Sequence, residues 1–198
     1  LLNDFTIDKN KIRVIPNGVN LSEFDRLETI PRQSKTILYV GMLEEYKGVQ
    51  YIIQTLPLLN EDICLEIVGK GTYKANLVTL IDKLGLNTRI RFYQNLPRQE
   101  LLKMYAKAGV FVLLSQHEAF SIVVAEALVA KTPCIVANTS ALSEWIDNKN
   151  CFGIDYPISN AELAELINKV AGKEVGDVKL WDWDAVARQI ARLSKKEL

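Results

Sequence analysis

One histidine and three cysteines are the whole complement of imidazole and thiol metal ligands in 198 residues. Cys64, Cys134 and Cys151 stand singly in apolar, strand-like surroundings, with no Cys-x-x-Cys spacing. That pattern excludes a zinc ribbon and a disulfide scaffold, and it fits buried thiols in a reducing cytoplasm. Neither sign of charge predominates, because 24 Lys plus Arg balance 24 Asp plus Glu. The chain therefore lacks the global field on which nonspecific nucleic-acid binders rely, and no nucleic-acid partner is expected. Long apolar runs are missing as well. Val110–Leu114 and Ile122–Ala130, the latter interrupted by Glu126, fall well short of the roughly 20 residues of a membrane span. The opening Leu1-Leu2-Asn3-Asp4 has neither an initiator Met nor a basic n-region, so the sequence reads as a fragment or a processed chain. What remains is an ordinary globular composition, 48% hydrophobic and 24% charged. At about 150 residues per domain, the length gives one domain and a remainder.

The domain announces itself by alternation. Apolar runs at Thr36–Gly41, Ile63–Gly69, Ile90–Asn95, Val110–Ser115, Pro133–Asn138 and Cys151–Tyr156 are each followed by a helical pattern. The helices are expected at about Lys47–Leu59, Thr72–Leu84, Pro97–Lys107, Ser121–Ala130, Ala141–Ile146 and Asn160–Ala171. The strands are continuous hydrophobic runs, which predicts burial on both faces. Together these features imply α/β architecture: a doubly wound, Rossmann-like parallel sheet with right-handed crossovers. The boundaries read as a linker with a lead-in strand (Ile12–Ile15) over 1–34, the main domain over 35–175, and a bracing helix over 176–198. Trp181 and Trp183 read as packing residues.

In such a sheet, ligands bind beyond the carboxyl ends of the strands. The loop Gly41–Gly48 is neither a Walker A loop nor a dinucleotide fingerprint, which argues against an NAD-type oxidoreductase. Lys47 beside a helix start opposes the helix dipole unless an anion is near, so it is either a solvated lysine or one aimed at a phosphate. Gly69 and Gly71 form a tight turn or admit a ligand to the backbone. Ser115–Ala130 carries the strongest signal. Ser121 is placed to cap an almost wholly apolar helix, and the amides of Ile122 and Val123 offer an anion site at its N-terminus. Within that helix Glu126 is either buried with a partner or ligand, or set on a narrow exposed stripe. Glu118 precedes it on the loop, with the same two readings. Glu144 is explained by helix capping, and the lone His117 reads as a loop residue.

In serial order, IPNGVN (Ile15–Asn20) with Phe24, YVG to YKG (Tyr39–Gly48), IVGKG (Ile67–Gly71), EAFSIVVAEAL (Glu118–Leu128) and SALSE (Ser140–Glu144) resemble the retaining glycosyltransferases of the GT-B fold, family four, also called group 1. The resemblance covers Ile12 to about Leu193. It implies the C-terminal, donor-binding domain of a two-domain enzyme that transfers a hexose from a UDP-, GDP- or ADP-sugar, without metal or other cofactor. The acceptor is an unidentified glycan, lipid or small molecule. By matching positions, Glu118 would be the catalytic contact to the transferred sugar. Ser121 and Ile122 would offer backbone amides to the diphosphate, with Lys47 reaching the phosphates, and Gly41, Ala119 and Phe120 would also belong to the donor site. Glu126 would bind the ribose, and Gly69, Gly71 and Asn95 would flank the base. The implied partners are the nucleotide-sugar and an N-terminal acceptor domain of the same enzyme, with peripheral membrane association through that half left open. Three departures stand out: Met42 where the family has Arg, Ala119 and Ser121 where it has Gly, and Ser140-Ala141 in place of a glycine pair. They keep a second expectation alive, a non-catalytic glycosyltransferase-like subunit that binds a partner protein.

Overall fold

The β-branched and aromatic runs form six strands: β1 (Gln33–Val40), β2 (Cys64–Val68), β3 (Ile90–Tyr93), β4 (Ala108–Leu113), β5 (Cys134–Ala137) and β6 (Cys151–Ile154). Between and after them lie α1 (Val49–Thr55), α2 (Lys74–Leu84), α3 (Arg98–Lys107), α4 (Ile122–Val129), α5 (Asn160–Val170) and α6 (Trp183–Ser194). This computed structural model describes residues 12–25, 27 and 30–194. The sheet order is β3-β2-β1-β4-β5-β6, and every neighbouring pair is parallel. That is the expected doubly wound sheet. Residues 21–178 form one compact unit, and 12–20 with 179–194 belong to a second.

Burial follows position in the sheet. β4 and β5 are buried at every residue, as continuous apolar runs require. β3 lies at the edge, and only Ile90 of its four residues is buried. Two-faced burial thus holds for β4 and β5 and fails at β3, whereas β6, at the other edge, is buried at all but Gly153.

Several local expectations are corrected. Ile12–Ile15 forms no strand: Val14 is 90% exposed, Pro16 has no N–H to donate, and only an isolated bridge joins Val19 to Asp182. The helix expected from Lys47 to Leu59 is divided. A 3-10 turn (Glu45–Lys47) ends at Gly48, whose φ of 76° stops it, and α1 starts afterwards. Ala141–Ile146 is a 3-10 segment, Ser140–Trp145, and Glu144 lies past its first turn, so it caps nothing. Trp181 and Trp183 are both exposed in large part. Of the linker and the bracing helix, residues 1–11, 26, 28, 29 and 195–198 lie outside the described residues.

The turn into β6 is held by one carboxylate. Asp147 Oδ1 accepts from the amides of Lys149 (2.9 Å), Asn150 (2.7 Å) and Cys151 (2.9 Å). Burial alone would raise its pKa, but these backbone bonds outweigh it and hold the carboxyl below its usual 3.8. A depressed folded-state pKa means stability that is present above the unfolded value and lost as pH falls through the folded one. Asp147→Asn should therefore cost about 1 kcal/mol at neutral pH, a modest figure because the group is exposed. The deficit should shrink as wild type and variant are compared below the usual aspartate range. Urea melts at neutral and strongly acidic pH test both statements.

Candidate active site at the switch point of the sheet

The strand order reverses between β1 and β4, so their outgoing connections diverge and a crevice opens at the carboxyl ends. One wall is the loop of residues 41–48, the other the loop of residues 114–121. Their backbones touch. Gln116 N donates to Tyr46 O at 2.8 Å, and a Cβ on Gly48 would fall 2.2 Å from Leu114 O. Across the crevice Lys47 Nζ meets Glu118 Oε1 at 2.6 Å, with side chains only 14% and 15% exposed. Lys47 is thus neither a solvated lysine nor in the first turn of a helix. It closes a 3-10 turn, and its counter-charge in this structure is Glu118.

The glycines have a partly different role from a ligand cradle. A Cβ on Gly69 would lie 1.9 Å from Gly41 O, and one on Gly71 2.2 Å from Leu43 O. They let the loops after β1 and β2 lie backbone to backbone. Leu43 N donates to Lys70 O and Tyr73 N to Leu43 O, both at 2.9 Å, while Glu44 accepts from Thr72 N (3.1 Å) and Oγ1 (2.8 Å). Gly41 and Gly69 also floor a concavity of about 370 Å³, walled by Val40, Met42, Val68, Lys70, Gln94 and Asn95. Gly71 does not line it. Met42 is 57% exposed at its rim, and its carbonyl accepts from Tyr39 Oη at 2.7 Å. Burial first, and the charge of Glu118 second, push the Tyr39 phenol far up, so it stays a donor.

The start of α4 faces the crevice. The first helix-internal bond runs from Val124 N to Ser121 O at 3.1 Å, so the amides of Ile122 and Val123 precede it. Ser121 occupies the capping position but does not cap. Its φ of 68° and ψ of 71° turn the side chain from the first-turn amides, and its buried Oγ has no hydrogen-bond partner among the described residues. A left-handed serine with an orphaned hydroxyl is a local cost. Ser121→Gly should raise stability by about 1–2 kcal/mol, read as a higher urea midpoint with unchanged m. Ala119 is exposed, whereas Phe120 is pinned: its carbonyl accepts from Trp145 Nε1 at 2.7 Å, and the two rings meet edge-on at 5.2 Å. Ser140, in a left-handed conformation at φ 43°, accepts the Glu118 amide on its Oγ at 2.9 Å.

Glu126 is buried, 7% exposed, which settles its two readings against the exposed stripe. Its Oε1 pairs with Arg98 Nη1 at 2.8 Å, and Arg98 Nε pairs with Glu23 at 2.8 Å. Burial pulls the Arg98 pKa down, but the two carboxylates outweigh it. The Tyr105 hydroxyl, buried and without a hydrogen-bond partner among the described residues, is pushed up by burial and then by the charge of Glu126. Arg98 is not among the site residues expected from the sequence, although the sequence carries a signal for it. It is a cation in the first turn of a helix, the same conflict with the dipole that marked Lys47. Ser140, Trp145 and Tyr39 gave no such sign. Among the described residues, no group of three or more His, Cys, Asp or Glu could hold a metal ion, and no helix is long and apolar enough to cross a membrane.

An open α/β sheet with a lysine, a carboxylate and a helix N-terminus at its switch point belongs to the large class of Rossmann-like ligand-binding domains. Comparison with known proteins narrows the class: residues 22–189 match the family described as glycosyl transferases group 1, and the chain belongs to that family. It is 30% identical to an uncharacterized glycosyltransferase of Methanocaldococcus jannaschii, over 96% of this chain and 55% of that protein. It is 31% identical to the glycogen synthase of Mycobacterium tuberculosis, over 95% of this chain and 44% of that protein. The chain thus spans about half the length of these curated relatives. Among solved structures it resembles Anabaena HepE in complex with UDP and glucose (TM-score 0.79, 20% identity, 93% of this chain, 57% of that one). It also resembles the sucrose-phosphate synthase of Thermosynechococcus elongatus (TM-score 0.80, 23% identity, 93% and 52%). The fold is the Rossmann-like α/β domain of GT-B glycosyltransferases.

Proposed function

We propose that the chain is the nucleotide-sugar-binding half of a retaining hexosyltransferase of family four, with the acceptor bound by an N-terminal half. The observation that carries this reading is the Lys47–Glu118 ion pair beside the start of α4. A cation, two unspent amides and a helix dipole are the groups that a diphosphate would draw on. In this reading Lys47 and the amides of Ile122 and Val123 hold the leaving diphosphate, so that charge developing on it meets preorganised donors. Released from Lys47, the Glu118 carboxylate is then available to the hydroxyls of the transferred sugar. Glu126 takes the ribose hydroxyls. The apolar concavity between Val40, Met42 and Val68 takes the base, beside Asn95. The HepE structures, described as complexes with UDP and with UDP-glucose, support a uridine nucleotide as the first to try. The buried thiols Cys134 and Cys151 favour a cytoplasmic setting, and no metal is required by this arrangement.

Calorimetry with UDP, GDP and ADP on wild type and Glu126→Ala tests the proposal. One nucleotide is expected to bind the wild type at micromolar to millimolar concentration and to bind the variant more weakly. If none binds at millimolar concentration, the donor-site reading is lost. The exposed Met42 favours a second reading, a partner-binding subunit without transfer activity. Transfer of sugar by the whole enzyme would exclude it.

A further inference from the structure

We propose that Arg98 is a positioning residue for the nucleotide: it holds the Glu126 carboxylate aimed at the ribose hydroxyls without itself touching the ligand. The proposal rests on the donor-binding reading of Glu126 above. A carboxylate buried in an almost wholly apolar helix is costly unless a partner hydrogen-bonds it, and that partner also fixes where it points. The partner is Arg98, whose Nη1 reaches Oε1 at 2.8 Å from the first residue of the neighbouring helix. Helix energetics do not favour arginine there, since a cation in the first turn opposes the dipole. Long-range contacts account for it instead. Glu23 fixes Nε at 2.8 Å, and the guanidinium carbon lies 6.0 Å from the centre of the Phe24 ring. A planar fork held at one nitrogen by Glu23 presents the other to Glu126 in a set direction. A lysine ammonium, a point charge on a flexible stem, cannot serve both carboxylates in fixed directions.

The test is calorimetry with UDP, GDP and ADP, each beside a counterpart lacking both ribose hydroxyls, on wild type, Arg98→Gln, Arg98→Lys and Glu126→Gln. Both Arg98 variants should weaken the parent nucleotide about tenfold, the scale of one charge-assisted hydrogen bond. They should leave the dideoxy counterpart at wild-type affinity, and Arg98→Gln should add no further loss in the Glu126→Gln background. A general structural defect would weaken both ligands alike, so the dideoxy arm separates positioning from packing. Equal loss of both ligands, or wild-type affinity for the parent nucleotide in the Arg98 variants, overturns the proposal. If wild type binds none of the three nucleotides, the donor-site reading itself has failed, and this proposal falls with it. Should Arg98→Gln melt below the assay temperature, Arg98→Lys and Glu23→Gln carry the test. Glu23→Gln loosens the fork from its far side, and it should show a smaller loss confined to the parent nucleotide.

Discussion

Alanine at position 48 is expected to lower the unfolding free energy by about 3 kcal/mol, among the largest effects available to a single methyl group in this chain. Two costs add. The backbone at Gly48 has φ of 76°, where an L side chain is strained, and the new Cβ would stand 2.2 Å from Leu114 O. Gly85 supplies the control, because its φ of 67° is nearly the same and nothing lies within 4 Å of its would-be Cβ. Gly85→Ala should therefore lose only the conformational part, about 1 kcal/mol. Urea denaturation of both variants measures the difference, which isolates the approach of the two crevice walls. Equal losses would mean that the walls yield easily. Because the same contact shapes the crevice, Gly48→Ala should also weaken nucleotide binding, whereas Gly85→Ala should not.

The second large effect concerns the ion pair across that crevice. Lys47→Ala should weaken nucleoside diphosphate binding by about ten- to hundredfold, the range of a lost hydrogen bond to a charged group. Nucleoside monophosphate binding should change less, and the loss should shrink at high salt as the attraction is screened. Glu118→Gln is expected to act in the opposite direction on binding. The Glu118 carboxylate, 2.6 Å from Lys47, competes with incoming phosphates for it. Neutralising it should tighten the nucleoside diphosphate severalfold, while sugar transfer by the whole enzyme is lost. Weaker diphosphate binding by Glu118→Gln would contradict the competition. Calorimetry across a salt series reads all of these.

Much of this was legible in the residues. The six strands are evident as apolar runs because a parallel sheet covered on both faces needs no polar alternation, and β4 and β5 are the clearest cases. Glu118, Ser121 and Glu126 stood out because carboxylates and a serine interrupt an otherwise apolar helix and its approach. Three things were not legible. Gly48 divides the helix after β1, and whether a glycine continues or ends a helix depends on the backbone beside it, here Leu114. The pairing of Lys47 with Glu118 spans 71 residues and requires that β4, not β3, lie beside β1. The pairing of Arg98 with Glu126 likewise depends on how α3 and α4 lie on the sheet. Local pattern identifies elements, whereas side-chain partners follow from strand order. Ser121 failed as a cap for a subtler reason: the residue type is right, but the backbone turn that opens the crevice sets it in the left-handed region.

The stitching of the loops after β1 and β2 has a thermodynamic consequence. Leu43, Tyr73 and the Glu44–Thr72 contacts join the two loops before any ligand arrives. A molecule entering the concavity beside Val40 and Val68 meets a surface whose conformational freedom was surrendered during folding. Its binding enthalpy and heat-capacity change should then report apolar surface removed from water, with little contribution from ordering of the chain. The other side of the crevice carries the opposite signature, since the Lys47–Glu118 pair must separate there. One ligand would thus draw on two different thermodynamic sources, a preset floor under its apolar end and an exchange of ionic partners at its charged end.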